Sequence, residues 1–262
     1  MNPNWLGVTS ALLSFAAFFV AYRFALNKSL KTRAAYLLVA TILALPGLSF
    51  AAYYAHIFPE PSWYYQFRSI AGSELLIVFI GLAGGLAATF LPRLLLVVPL
   101  LGIAAFSIVP FIKPFIGSIA EDTFKDKWDG EICLQSTPST CGAASTASVI
   151  RSLGTQVTER EIAREAHSYA GGTEAWYLAR SARARGYDVE FEFGSGFNPN
   201  VRLPAMVGVR LGSIGHFIAI LGMEGDLFVV GEPLSGRLLM SYEDLLKRYD
   251  FTGFHMLIKK DG

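Results

Sequence analysis

The chain has 262 residues, of which 53% are hydrophobic and 16% charged; its net charge is +1 and its mean hydropathy +0.42. Soluble domains run nearer about 45–50% apolar and 25% charged. The chain is more apolar and less charged than that, and the near-neutral balance gives no case for a nucleic-acid partner or an acidic substrate. Charges are sparse before residue 120 and ordinary after it. The chain thus divides into an apolar half and a globular half of about 140 residues, enough to bury one core.

Four stretches in the apolar half lack a charged side chain: Trp5–Tyr22, Ala34–Pro59, Leu75–Pro92 and Leu94–Ile112. About 20 apolar residues cross a hydrocarbon layer. Four transmembrane helices are therefore predicted within residues 1–118, at about 5–26, 34–57, 74–91 and 93–113. The first is read as a span and not a cleaved signal peptide, because Met1–Trp5 carries no charge and no clear small-residue cleavage site follows. Gly81 and Gly85 offer a small face for close helix packing. Trp63, Tyr64, Tyr65 and Phe67, between the second and third spans, are expected to form an interfacial aromatic belt.

The loop after the first span carries Arg23, Lys28, Lys31 and Arg33 without an acid, whereas the loop after the second carries Glu60, Arg68 and Glu74. By the positive-inside rule the first loop is cytoplasmic. Four spans then place the globular half outside, in the exoplasmic or periplasmic space of what is expected to be a bacterial inner or plasma membrane. A miscount by one span would move it to the cytosol.

Residues 119–131 read as a polar linker, and a globular domain is expected over 132–262. A helix is predicted from Cys141 to about Leu153, stopped by Gly154. A second covers Thr158–Ala166, with Thr158 as its cap and Glu161 three residues on. A third covers Thr173–Arg185, stopped by Gly186. The period then changes to alternation. Strands are predicted over Tyr187–Phe193, Pro204–Leu211, His216–Leu221, Leu227–Val230, Arg237–Met240 and Gly253–Lys259, with one late helix at Ser241–Tyr249. Helices followed by antiparallel strands make an α+β fold. No phosphate-binding G-x-x-x-x-G-K-[ST] loop occurs, so an ATPase of that type is excluded.

Six residues lie between Gln135 and Cys141 counted inclusively of the latter. A cysteine at a helix N-terminus is favoured as a thiolate by the unpaired N–H groups there, and Gly142 is expected to leave open backbone beside the sulfur for a peptide. The alternative is a buried structural cysteine. Cys133 and Cys141, eight apart, match no common zinc spacing; a disulfide between them would block the nucleophile. No metal or cofactor is expected.

Four histidines compete for the role of base. His56 sits at the end of a span, His167 in a helix-to-loop passage, and His255 inside the last strand. His216 opens an apolar strand after Gly212–Gly215, so its imidazole can project from a sheet end. The hairpin turning at Gly225 brings Glu232 back to that end, where a carboxylate would orient the imidazole. Gln135, with the Cys141 N–H, would form an oxyanion hole. Gly172 and Thr173 are expected to line the cleft, with a plain loop as the other reading.

Residues 132–260 resemble the bacteriocin-processing, double-glycine leader peptidases, family thirty-nine of the cysteine peptidases. The likeness rests on Gln135-Ser-Thr-Pro-Ser-Thr-Cys141-Gly-Ala-Ala, Gly172-Thr173 before a helix, His216-Phe-Ile-Ala-Ile and Glu232-Pro233. It implies a papain-like fold, with Cys141 as nucleophile, His216 as base, Glu232 as orienting acid and Gln135 as oxyanion donor. Three departures stand out. The family usually has Asp-Pro where this chain has Glu232-Pro233, and often a cysteine where this chain has Ser145, a change expected to matter little. Exporter-fused relatives work in the cytosol beside an ATPase, whereas this sequence carries no such phosphate-binding loop and its globular half is expected to face outward.

The expected function is a membrane-anchored cysteine peptidase. Its partners would be a peptide or protein substrate, the lipid bilayer and a separate exporter, with no nucleic acid. The alternative is a non-catalytic peptide-binding or accessory membrane protein. Acyl or isopeptide transfer would use the same residues.

Overall fold

The computed structural model describes residues 3–55, 57 and 61–260. His56 and Glu60, invoked above, lie outside the described residues. The described residues divide into two compact units: residues 3–55, 57 and 71–116, and residues 61–70 with 117–260.

The chain's first five α-helices are α1 (Trp5–Ala25), α2 (Leu30–Tyr54), α3 (Ser62–Arg68), α4 (Val78–Ala88) and α5 (Val97–Ile116). All but α3 belong to the first unit. Polar side chains start α1 and α2: Asn4 accepts from the Gly7 N–H at 2.8 Å and Ser29 from the Thr32 N–H at 3.2 Å. Three stretches, Trp5–Ala25, Leu30–Tyr54 and Arg93–Ile116, are long and apolar enough to cross a membrane.

The predicted third span differs. A 3-10 turn, Ser73–Ile77, leads into α4, which ends at Ala88. Upstream, the left-handed Gly72 (φ 87°) breaks the chain, so that Ser62–Arg68 and Ser73–Ala88 bend by 98°.

Glycine sets the α1–α4 packing. A Cβ on Gly81 would lie 1.8 Å from the Ser14 carbonyl oxygen, and one on Gly85 2.2 Å from that of Phe18, so the two backbones touch where side chains would keep them apart. Asn4 donates to Glu74 at 3.0 Å and the Tyr54 hydroxyl to the Pro110 carbonyl at 3.3 Å, joining one set of helix ends. Arg33 donates to the Thr89 carbonyl at 3.1 Å, joining the start of α2 to the end of α4. The four helices therefore run alternately up and down.

The second unit adds β1 (Lys127–Asp129), β2 (Ile132–Leu134), α6 (Cys141–Ser152), α7 (Glu159–Glu165), α8 (Ala175–Arg183), β3 (Tyr187–Phe193), β4 (Ala205–Leu211), β5 (Ile214–Glu224), β6 (Leu227–Glu232), β7 (Gly236–Met240), α9 (Tyr242–Arg248) and β8 (Asp250–Lys260). Helices precede an antiparallel sheet, an α+β fold. The six strands lie in the order β3-β8-β4-β5-β6-β7. Gly154 and Gly186, both at positive φ, follow the ends of α6 and α8, and Thr158 and Glu161 form a capping box on α7. One sheet face buries Val207, Val209, Ile218, Ile220, Val230, Leu245 and Leu257 in a common core.

Two expectations need correction. The polar linker at 119–131 is not all linker. Gly130 (φ 61°) turns the chain so that β1 pairs with β2, with Trp128 opposite Cys133 and the Arg151 guanidinium 4.2 Å from the Trp128 ring. The charges around Trp128 hide a hairpin too short to show an alternating pattern.

The aromatic belt is not a belt. Tyr64 and Tyr65 of α3 are buried in the second unit, where the Tyr65 ring lies 5.6 Å from Trp176, 5.5 Å from Phe191, 5.2 Å from Phe193 and 5.8 Å from Phe254. The Arg68 guanidinium stacks 4.4 Å from Trp176, Arg180 donates to the Arg68 carbonyl at 2.6 Å, and Gln66 donates to the Val189 carbonyl at 3.1 Å. Only Trp63, 67% exposed, keeps an open position.

Tyr65 is therefore expected to behave as a core residue. Tyr65→Ala should cost about 3–5 kcal/mol, as truncating a buried aromatic does, and Trp63→Ala less than about 0.5 kcal/mol. Urea unfolding of the full chain in detergent measures both, and equal losses at the two positions would remove α3 from the core.

Candidate active site

Cys141 is the first residue of α6, and every residue from there to Ile150 is buried. The first turn is small because α6 lies hard against β5. A Cβ on Gly142 would come within 3.0 Å of Leu178 and 3.3 Å of Phe217. Gly142 therefore faces the core, correcting the expectation of open backbone beside the sulfur. Ser145 has more to do than expected: its hydroxyl donates to the Phe217 carbonyl at 2.9 Å, tying α6 to the residue beside His216.

The loop before Cys141 is held from α7. The Glu159 carboxylate is buried and accepts from the Ser136 N–H at 2.8 Å and, in a short hydrogen bond, from the Ser136 hydroxyl. Burial pushes this carboxyl above its ordinary 4.5, and hydrogen bonds from Ser136 and Thr140 pull part of the way back. The Thr140 hydroxyl closes the loop onto the Thr137 carbonyl at 3.0 Å. Nothing in the sequence around Glu159 separates it from any other glutamate in a first helical turn.

Cys133 and Cys141 are both free, so the disulfide alternative does not occur. Cys133 is buried on β2, where its N–H donates to the Ser148 hydroxyl at 2.9 Å and burial pushes its thiol far up. It stays a thiol and packs as a small apolar residue.

His216 lies on β5, 6% exposed, with Nε2 2.7 Å from Oε1 of Glu232, which is 2% exposed. Pairing of Ile220 with Val230 puts the alternating sets His216-Ile218-Ile220 and Val230-Glu232 on one face. The register pairs Ala219 with Gly231 and, carried one step on, sets Glu232 opposite Ile218. His216 is then a diagonal neighbour, within reach of a long side chain.

Burial alone would lower the His216 pKa. Hydrogen bonds with the Cys141 side chain and with Glu232, and the attraction of both groups, outweigh it and raise the imidazole to about 9. Glu232 shows the converse: burial would raise it, and the bonds from His216 and Tyr249 hold it below its ordinary 4.5. Glu232 thus holds Nε2 of His216, and both Glu232 and Cys141 act to raise the imidazole.

Gln135 is anchored by its N–H to the Pro233 carbonyl at 2.9 Å. Its side-chain Nε2 donates to the Thr137 carbonyl at 2.7 Å, which leaves one amide hydrogen for a ligand, while Oε1 is buried without a hydrogen-bond partner. A cleft of about 350 Å³ runs past it, lined by Gln135, Thr137, Pro138, Leu211, Ile214, His216 and Leu234 among others. Leu211, Ile214 and Leu234 were missed by sequence reasoning, since exposed apolar residues at strand ends and in turns carry no signal of their own.

Gly172 and Thr173 are not among the cleft's lining residues. Gly172 (φ 118°) closes a turn with Tyr169 through hydrogen bonds of 3.0 and 2.9 Å, and the Thr173 hydroxyl bonds that of Ser168 at 2.6 Å. The turn braces the pre-Cys141 loop from behind, through Ser139 Oγ on the Ala170 carbonyl. Of the other histidines, His167 stacks edge-on with Tyr177 at 5.0 Å, and His255 is buried with Nδ1 on the Gly253 carbonyl at 3.1 Å.

The Peptidase C39 family model matches residues 120–261. A protein of Methanothermobacter thermautotrophicus, described as uncharacterized, is 29% identical over 137 residues, which cover 50% of this chain and 90% of that protein. Another from Methanothermobacter marburgensis is 26% identical over 136 residues, covering 51% and 91%. Among solved structures, the peptidase domain of Streptococcus ComA, a bi-functional ABC transporter involved in a quorum sensing pathway, is similar with a TM-score of 0.42 and 19% identity, covering 49% of this chain and 96% of that domain. A double glycine motif protease from an AMS/PCAT transporter, solved in complex with the leader peptide, gives 0.42 and 20%, covering 52% and 94%.

The buried pair fixes a pH dependence. His216, raised from 6.5 to about 9, contributes stability fully present below pH 6.5 and lost as pH rises through about 9. Glu232, depressed, contributes stability present above pH 4.5 and lost as pH falls through its folded value. In histidine-labelled full chain followed by NMR, His216 should titrate near 9 and move down toward 6.5 in Glu232→Gln. A His216 resonance already titrating near 6.5 in the native chain would contradict the pairing.

Proposed function

We propose, from the premise that this chain belongs to the Peptidase C39 family, that it is a membrane-anchored cysteine peptidase acting on exported or membrane-proximal peptides. One observation carries the reading: the buried imidazole of His216 is held by Glu232 at 2.7 Å, and interaction with the Cys141 side chain helps to raise its pKa. A nucleophile, a base and a group orienting the base are what acyl transfer through a thiol requires.

In the reaction His216 takes the Cys141 proton and the sulfur attacks the peptide carbonyl carbon. The oxyanion is met by the free Gln135 amide hydrogen and by the Cys141 N–H, one of the first N–H groups of a helix and so without an intrahelical partner. The imidazolium gives its proton to the departing amine as the C–N bond breaks. Water then loses a proton to His216 and attacks the thioester, and the thiol leaves reprotonated. Glu232 stands where the family usually has Asp, which leaves room for a non-catalytic binding protein; its contact with His216 at 2.7 Å supports the catalytic reading.

The division into units bears on sidedness. Residues 61–70 and 117–260 form one compact body, which supports placing them on one side of a bilayer. Residues 61–70 follow α2, and α2 follows the basic loop Arg23–Arg33. On this reading one crossing by α2 separates the peptidase from the basic loop. With the basic loop cytoplasmic, the peptidase faces outward. The joined ends within the bundle, Arg33 to Thr89 and Asn4 to Glu74, fit α4 and α5 as the third and fourth crossings. A separate exporter would deliver the substrate to that side.

Two experiments test the reading. A thiol-reactive peptide probe should label the native chain and not Cys141→Ala, and Gln135→Ala should lower the rate of peptide cleavage about a hundred- to thousandfold. Labelling of Cys141→Ala like the native chain would defeat the assignment. For sidedness, Glu243→Cys, exposed on α9, placed in a Cys133→Ala/Cys141→Ala background, should react with a membrane-impermeant maleimide in intact cells. Protection until lysis would place the domain in the cytosol.

A further inference from the structure

The carboxylate that orients His216 has a second partner. Oε1 of Glu232 takes His216 Nε2 at 2.7 Å and the Leu234 N–H at 3.3 Å. Oε2 accepts the hydroxyl of Tyr249 at 2.7 Å. Tyr249, 4% exposed, is the residue that follows α9, fixed by its own N–H on the Leu245 carbonyl at 3.0 Å and by its ring beside Phe251 at 6.0 Å. The Arg248 Nε donates to the Tyr249 oxygen at 3.2 Å, so the phenol's own hydrogen is directed at Glu232. Burial and the Glu232 charge push the Tyr249 hydroxyl up, which keeps it a donor at every working pH.

We propose that Tyr249 is a positioning residue of the active site, which pins the second oxygen of Glu232 so that this longer side chain orients His216. The inference rests on the peptidase reading above. Its logic is geometric. A glutamate has one more rotatable bond than an aspartate, and a carboxylate held at one oxygen can swing about that bond away from the imidazole. With both oxygens bonded, to groups on β5 and just after α9, the swing is closed. The buried charge also gains the donors it needs, since an unpaired carboxylate oxygen at this depth carries a large desolvation cost. The groups facing the carboxylate are His216 from β5 and Tyr249 with Arg248 behind it, and Cys141 faces the far side of His216.

The test uses the full chain in detergent, with Cys133→Ala to leave one thiol. Alkylation of Cys141 by iodoacetamide is followed against pH, with thermal unfolding in parallel. Tyr249→Phe keeps the ring and its packing and removes one hydrogen bond to a charged group. It should slow alkylation about tenfold at pH 7. It should also move the acid limb of the profile up by about one pH unit, because Glu232 without its phenol donor protonates earlier. In a Glu232→Asp background the shorter side chain cannot span both partners. Tyr249→Phe should then cost less than about twofold, a non-additivity that a packing role would not give.

An unchanged rate and acid limb in Tyr249→Phe, whatever the melting temperature does, would overturn the role, as would the same tenfold loss in both backgrounds. Peptide cleavage assayed on the same proteins separates this from the broader reading. Native cleavage abolished in Cys141→Ala but unaltered in Tyr249→Phe removes only Tyr249, whereas cleavage that persists in Cys141→Ala removes both.

Discussion

The site depends on how closely one helix can approach one strand. Cys141 and His216 are 75 residues apart in the chain, on elements whose backbones ordinary side chains would hold apart. The run Gly142-Ala-Ala-Ser-Thr-Ala-Ser on α6 has no side chain larger than threonine, and all of it is buried. With Gly142 against Phe217 and Ser145 bonded to its carbonyl, the helix is fixed in rotation and in translation relative to β5. Those two contacts flank the thiol and the imidazole. A larger residue at 142 would have to displace Leu178 or Phe217, and the sulfur would move with the helix. The small run thus sets how closely α6 lies against β5.

Once helix and strand are in place, the polar groups buried between them need partners, and the molecule supplies these in two separate networks. Glu159 gathers the Ser136 N–H and the hydroxyls of Ser136 and Thr140, which shapes the loop from Gln135 to Cys141. Glu232 gathers His216, Tyr249 and the Leu234 N–H. The two carboxylates are pushed in opposite directions. Glu159 has only neutral donors, so burial dominates and its carboxyl rises. Glu232 faces a raised imidazole, so it falls. The sign follows from whether a cationic partner is present, and it separates a carboxylate that shapes a loop from one that holds charge on an imidazole.

What the sequence made legible follows from how local each feature is. The stop of α6 at Gly154, the Thr158–Glu161 capping box and the alternation in β3 to β8 depend on residues a few positions apart, and each is present where expected. The meeting of His216 and Glu232 was also legible, because a hairpin with a turn at Gly225 returns one strand end to the other by register alone. Tyr249, Glu159 and the cleft residues Leu211 and Ile214 were not legible. Their roles depend on which distant element lies beside them, and a tyrosine after a helix or a leucine at a strand end looks the same wherever it packs. Gly142 was misread for the same reason: a glycine beside a nucleophile has an obvious use at the surface, and only the placement of Phe217 and Leu178 shows that it serves the core.

The least legible feature is the one that joins the apolar half to the globular half. Residues 61–70 lie outside the stretch matched by the family model, yet they complete the second unit. β3 is an edge strand, and together with β8 it presents Phe191, Phe193 and Phe254 as an apolar patch. A patch of that kind on an edge invites association, and here Tyr65 covers it from within the same chain. Phe254 in turn packs against Phe217 at 5.4 Å, the ring that seats Gly142 and adjoins His216. A contiguous line of rings therefore runs from α3 to the thiol's helix. Because residues 71–116 return the chain to the body that residues 61–70 already belong to, that body is attached to the apolar half at two points, before α3 and after α5.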